Sequence, residues 1–344
     1  MNLRAYVIRR LLLLAPVLIG ISLLIFFVLS FLPLGMRLSA YIGDVSELRP
    51  ENIEKTIEKY HLNDPIWVQY SIWLSGLLAG NLGVAADGER VLDALLRRFP
   101  ATAELAIYAS LIIIFGGIWL GTISAVRKDR PADHATRIMS IAGWSLPTFW
   151  LGLMVLMWFY GGYGIFGPGR LDEPVRKIVA GEGFVRYTKL NTFDAILNLN
   201  WTVFVDAVEH LVLPVLTLAF VSWAIITRIM RSSMIEVLSK DYLKLAKAKG
   251  APMRLIIRKH ARRNALIPVA TVSGFVFAGL LNGVVITETV FAINGIGKFA
   301  ADAAISVDVA AVLGFTMFNA ILLVLTNLIV DLLYAYIDPR IRLG

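Results

Sequence analysis

Residues 11–36 contain no Asp, Glu, Lys or Arg, and no other feature limits this chain's folding options as much. Uncharged runs also occupy 105–126, 138–169, 264–287 and 309–330. A shorter run, 211–227, is expected to begin near Val203, with Asp206, Glu209 and His210 at its mouth. A helix needs about 20 apolar residues to cross a bilayer. Sheets and irregular backbone cannot face lipid because their polar groups would go unpaired, so each run reads as a helix. Pro16, Pro147 and Pro214 fall inside these runs, where neighbouring helices are expected to satisfy the freed carbonyls. A length of 344 residues would otherwise suggest two soluble domains. Hydrophobic residues at 58% and charged ones at 17% argue against that, since soluble domains average about 45–50% and about 25%. The expectation is an all-α integral membrane protein with six transmembrane helices.

Segment 65–86 is also uncharged, but it carries Gln69, Ser71, Ser75 and Asn81. Its Trp67, Tyr70 and Trp73 suit the headgroup level. It reads as an interfacial helix rather than a span, and the charge distribution supports this. With six spans and the N-terminus inside, the inner segments hold twenty Lys and Arg against five acids, while the outer ones hold thirteen against nineteen. Lys and Arg in short loops favour the cytoplasm, so both termini are expected there. A seventh span would put the cationic 228–263 loop on the wrong side. Topology and anionic inner-leaflet lipid account for the net charge of +8, and no nucleic acid is implied. The N-terminal cations and apolar run resemble a secretory signal, but the run is long and lacks a small-residue cleavage site, so it is expected to stay as the first span. Three parts follow: 1–36 with the first span, an extracytoplasmic insertion at 37–100, and a core at 101–344 containing the inner segment 228–263.

Catalytic constellations are missing from the sequence. The segment AINGIGKF, 292–299, has Gly297-Lys298 but Ala292 at the leading position and Phe299 at the last, so it is not a phosphate-binding loop. His61, His134, His210 and His260 are scattered, the serines lack a nucleophile-elbow context, and there is no cysteine for a disulfide or thiolate site. No metal or catalytic residue is expected. Acids within spans are functional suspects by default, yet Glu104, Glu288 and Asp331 lie near span ends, where structural pairing is the simpler reading.

The segment DYLKLAKAKG, 241–250, stands out. Tyr242, Leu245, Ala246 and Lys249 share a helix face at i, i+3, i+4 and i+7. Ala246 and Ala248 allow close approach of another surface, Gly250 can end the helix in left-handed geometry, and Pro252 can open the next. The following helix segregates Arg254, Arg258 and Arg262 from Met253, Ile256, Ile257 and Ala261, as expected for a segment lying on the inner leaflet. The first helix has too little apolar surface for that, and reads as a docking element for a partner protein.

These residues, with HARRNALIPV, resemble the cytoplasmic coupling segment of binding-protein-dependent ABC importer permeases of the oligopeptide/dipeptide transport family. The resemblance runs nearly the whole chain: YVIRRLLLLAPVLIGISLLIF, HLNDPIWVQYSIWLSGLLAGNLG, RRFPATAELAIYAS, SLPTFWLGL, HLVLPVLTLAF, RIMRSSMIEVL, ETVFAINGIGK and NLIVDLLYAYIDPRIR. The general motif of such permeases begins Glu-Ala-Ala. Here Lys244, Leu245 and Ala246 stand at those positions, and the spacing from Gly250 to Pro268 is longer, so salt bridging through a motif glutamate is not implied.

The resemblance implies type I ABC importer permease architecture, without cofactor or catalysis in this chain. It implies a second homologous permease subunit, two cytoplasmic ATPase subunits that bind ATP and magnesium, and an extracytoplasmic substrate-binding protein. Asp241, Tyr242, Leu245, Ala246, Ala248, Lys249 and Gly250 would couple to an ATPase. Glu288, Asn294, Gly295 and Gly297 would help dock the binding protein. Ser145, Pro147, Trp150, Asn282 and Thr287 either line the path or pack between helices. Gly274, Gly279 and Gly283 are expected to permit close helix approach. The cargo implied is di- or oligopeptide, although relatives of this architecture also carry nickel complexes, glutathione or oligosaccharides. Rival readings are a stand-alone secondary transporter or channel, which should show paired intramembrane charges and an internal repeat, and a membrane enzyme.

Overall fold

The structure, a computed structural model, describes residues 3–42 and 50–337. Arg340 and Arg342, two of the inner cations, and residues 43–49 of the insertion lie outside them, as does the side chain of Asp331. The described residues are helical throughout apart from turns and one isolated bridge, Val84 to Arg90. Five helices are long and apolar enough to cross a membrane, or six when one sharply bent pair counts as a span.

The first span, α1 (Leu3–Ser30), exposes most of its apolar side chains and buries Ser22, Ile25, Phe26 and Leu29. After α2 (Leu34–Ile42) and α3 (Pro50–Lys59) comes α4 (Ile66–Leu78). Its 13 residues reach only about 20 Å at 1.5 Å per residue, short of a core about 30 Å thick. It packs on α1 through a Ser22–Tyr70 hydrogen bond of 2.9 Å and the Phe26–Trp73 ring pair.

The second span, α5 (Val91–Val126), begins well before the uncharged run, so the last ten residues of the 37–100 insertion are helix continuous with that span. Val91, Ala94 and Leu95, at i, i+3 and i+4, are wholly buried, and Val91 and Leu95 cluster with Ile296, Ala303, Ala310 and Ala311. Arg97 turns outward to pair with Glu89 at 2.6 Å. An amphipathic face, not absence of charge, makes this stretch helical.

The third span departs from expectation. Helices α6 (Pro131–Ser145) and α7 (Thr148–Leu156, continued by a π turn to Gly162) meet at 99°. Pro147 is not tolerated inside a helix here. It starts α7, and Leu146 before it is extended at φ −83°, ψ 129°, as proline's ring demands of its predecessor.

Two short outer helices, α8 (Glu173–Ala180) and α9 (Asn191–Leu197), close a small apolar cluster with Val203 and Ala207. Helix α10 (Trp201–Leu238) runs the length of α5, and this pair forms the centre of the bundle. Glycines on α5 permit the contact: a Cβ on Gly117 would sit 2.5 Å from Ile226 Cβ, and one on Gly121 2.6 Å from Met230 Cβ. Small residues that let backbones approach are how helices gain packing energy in lipid. The remaining elements are α11 (Asp241–Ala248), α12 (Met253–Leu255), α13 (Arg262–Leu281), α14 (Val285–Val290), α15 (Ile296–Ile305) and α16 (Val309–Ile337). A π turn at Ile256–Ala261 joins α12 to α13, so residues 253–263 are the start of the fifth span rather than a separate helix.

Candidate functional site

Helix α11 is an eight-residue helix held between the end of α10 and the start of the fifth span. The Ala251 amide donates to the Ala246 carbonyl at 3.1 Å and the Gly250 amide to that of Lys247 at 3.0 Å. This is a Schellman C-cap, with Gly250 at φ +79°. Pro252 caps the next helix. Leu243, buried beside Ile256 and Ala261, anchors α11 in the core, and Ala246 packs against the same cluster. Tyr242 accepts a hydrogen bond from Asn264 Nδ2 at 2.9 Å, and Lys244 pairs with Asp241 at 2.8 Å. The opposite surface is uncovered: Tyr242 is 46% and Leu245 57% exposed, with Ala248, Lys249 and Gly250 exposed beside them. The helix is thus fastened through Leu243 and Ala246, and leaves Tyr242 and Leu245 largely exposed.

Two residues near this end went unmarked in the sequence reading. Asp133 of α6 is wholly buried, and Arg231 of α10 grips it in a fork, Nε at 2.8 Å and Nη2 at 2.7 Å. Ser124 Oγ of α5 and the Asp129 amide also donate to it. One carboxylate therefore ties three spans together. Asp129 and Asp133 both lie in the same inner segment, and no local pattern singles out Asp133.

At the other end, Glu288 is 0% exposed. Its carboxylate accepts from Thr102 Oγ1 at 2.7 Å and the Lys298 amide at 2.8 Å, while Thr102 Oγ1 accepts from the Ile296 amide at 2.9 Å. These amides open α15, where unpaired donors favour a carboxylate. Burial pushes the Glu288 carboxyl above its ordinary value, and the bonds from Thr102 and Lys298 oppose the rise. A Cβ on Gly295 would collide with Thr102 and Glu288, and one on Gly297 would come within 2.9 Å of the Val285 backbone. Of the four residues expected to offer a docking surface, only Asn294 is exposed; Glu288, Gly295 and Gly297 are buried and shape the turn from beneath. Glu104 behaves alike, taking Arg170 at 2.6 Å and both the amide and hydroxyl of Thr192 at 2.8 Å. Above these supports lies a pocket of about 560 Å³ lined by Arg170, Arg176, Arg186, Asn191, Asn294 and Lys298. Its cations come from separate segments, so no local pattern revealed it.

Residues 117–343 match the family model for the binding-protein-dependent transport system inner membrane component, and residues 3–106 match the N-terminal model for the same membrane components. The chain belongs to this family. It is 43% identical over 321 residues, 92% of each chain, to a protein named as a probable D,D-dipeptide transport system permease of Escherichia coli. A dipeptide transport system permease of Alkalihalophilus pseudofirmus is 36% identical, covering 98% of this chain and 99% of its own. An oligopeptide transport system permease of Bacillus subtilis is 33% identical over the same shares. This chain is a multi-pass inner-membrane permease component.

For a permease, the residues suspected of lining a path fall into two groups. Ser145, Pro147 and Trp150 are all exposed at the bend of the third span. Asn282 follows α13, and its carbonyl accepts from Asn319 Nδ2 of α16 at 2.9 Å. Thr287 is buried within α14, outside the fifth span. A Cβ added to Gly279 would meet nothing within 4 Å, whereas one on Gly283, at φ +94°, would lie 3.1 Å from the Gly297 backbone.

Proposed function

We propose that this chain is the membrane-spanning permease of an ABC importer that moves di- or oligopeptides, or a similar small solute, into the cell. The observation that carries the reading is α11, a capped helix anchored by Leu243 and exposing Tyr242 and Leu245 at the junction of two spans. Seated in a groove of a cytoplasmic ATPase, it would pass the ATPase's closure through Leu243 to α10 and the fifth span. ATP and magnesium belong to two such ATPase subunits, a second permease completes the channel, and a binding protein delivers cargo to the cationic outer pocket. Alternation is then a rigid-body change between two states, biased by nucleotide on one side and the binding protein on the other. The cation excess on the α11 side supports cytoplasmic termini. Peptide cargo follows from the resemblance to the dipeptide and oligopeptide permeases.

The natural chain has no cysteine, so Leu245→Cys introduces a single thiol. Expressed with its neighbouring transport subunits, it should cross-link to the ATPase and respond to nucleotide. Labelling of that thiol from outside the cell, or uptake by the chain alone in proteoliposomes on an ion gradient, would favour a stand-alone transporter.

A further inference from the structure

We propose that Asp172, Asp206 and His210 form a binding site for a divalent transition-metal cation of the zinc class. His210 stands in the third turn of α10 and is 4% exposed. Its Nδ1 lies 2.8 Å from the Asp206 carbonyl oxygen one turn earlier. That bond places the ring proton on Nδ1 and leaves Nε2 with a free lone pair, the arrangement by which metal-binding histidines are oriented. Nε2 is buried and has no hydrogen-bond partner. It faces Asp172 Oδ1 at 3.5 Å.

Two acceptors aimed at each other need a positive charge between them. A proton would draw a charge-assisted pair to about 2.7–2.9 Å. Two ligands of a tetrahedral ion at about 2.1 Å are separated by about 3.4 Å, which is close to the gap observed. Ligand atoms from all three residues lie within 4.8 Å of one another. Asp206 is held in place, one carboxylate oxygen accepting from the Asp172 amide at 3.0 Å. Asp172 occupies the N-cap position of α8, yet its side chain makes no cap bond. The nearby Arg176 is taken by Glu173 at 3.1 Å. One imidazole and two carboxylates suit zinc with a water as fourth ligand, whereas calcium and magnesium prefer all-oxygen shells.

The consequence is mechanical. A bound cation would clip the loop bearing Arg170 and the start of α8, which bears Arg176, onto α10, fixing one wall of the cationic pocket. The Asp-x-x-x-His spacing of residues 206 and 210 was visible in the sequence; Asp172 joins them only through the fold.

The full chain, purified on a histidine-free tag and stripped with chelator, is titrated with zinc sulfate alone and read by elemental analysis and X-ray absorption. One zinc per chain, bound through nitrogen and oxygen, is expected. Asp172→Asn and His210→Gln should each weaken binding by at least about tenfold. Asp172 has a 70% exposed side chain, so its variant should elute as wild type does even if His210→Gln disturbs packing. Wild-type protein that takes up no zinc, or equal retention in wild type and Asp172→Asn, would overturn the proposal.

Discussion

Replacing Gly250 separates conformational demand from crowding. The residue sits at φ +79°, and no atom lies within 4 Å of an added Cβ. Gly250→Ala therefore meets no collision, only the intrinsic penalty of a left-handed L-residue, about 1–2 kcal/mol. That penalty changes the ratio of closed to open α11 by about 5–30-fold. Eight residues cannot hold a helix alone, so the loss appears as local opening around the bonds from Gly250 and Ala251. Asparagine visits the left-handed region more readily than alanine, so Gly250→Asn should lie between wild type and Gly250→Ala. Hydrogen exchange of a peptide covering 241–251 reads the opening, and ATP-driven uptake with the partner subunits reads its effect. Amounts in the membrane should stay unchanged. If Gly250→Ala exchanges and transports like wild type, or Gly250→Asn is the worse of the two, the cap does not govern coupling.

Other substitutions test the supports. Gly117→Ala places a methyl group 2.5 Å from Ile226 Cβ and should cost about 1–3 kcal/mol of overpacking; an unchanged Tm in detergent would contradict the close α5–α10 contact. Asp133→Asn leaves Arg231 without its carboxylate, and with that guanidinium partly solvated the loss should fall near about 3 kcal/mol; adding Arg231→Met should recover part of it, and failure to do so would argue against a stranded charge. Burial holds Glu288 protonated to a higher pH than the unfolded chain, above its ordinary 4.5. Its contribution is full below that value and is lost as pH rises through the folded value, so Glu288→Gln, which cannot ionise, should flatten the fall in Tm as pH rises above 4.5. A parallel fall in both proteins would refute this.

Much of the architecture was legible because its signals are local. Uncharged runs located the spans, since bilayer thickness sets their length. The reading of 65–86 as something other than a span rested on its polar positions, its aromatics and the charge bias, and the α11 cap on Gly250 and Pro252. Proline misled once: the environment that tolerates Pro214 within α10 was assumed for Pro147, which instead bends the third span by 99°. Charge misled at residues 91–98, where an apolar face buried against α15 and α16 lies beneath arginines.

The sequence by itself determined that this chain crosses a membrane several times, where it crosses, and that a short capped helix interrupts the crossings. Tertiary structure decided what the buried acids do. Asp133 meets Arg231 across 98 positions, Glu288 meets Thr102 across 186, and Asp172 reaches His210 from a different element. Periodicity and capping act over a turn or two of chain, so they leave a readable pattern. A carboxylate choosing its partner across the bundle is selected by desolvation and geometry, which only the assembled helices define.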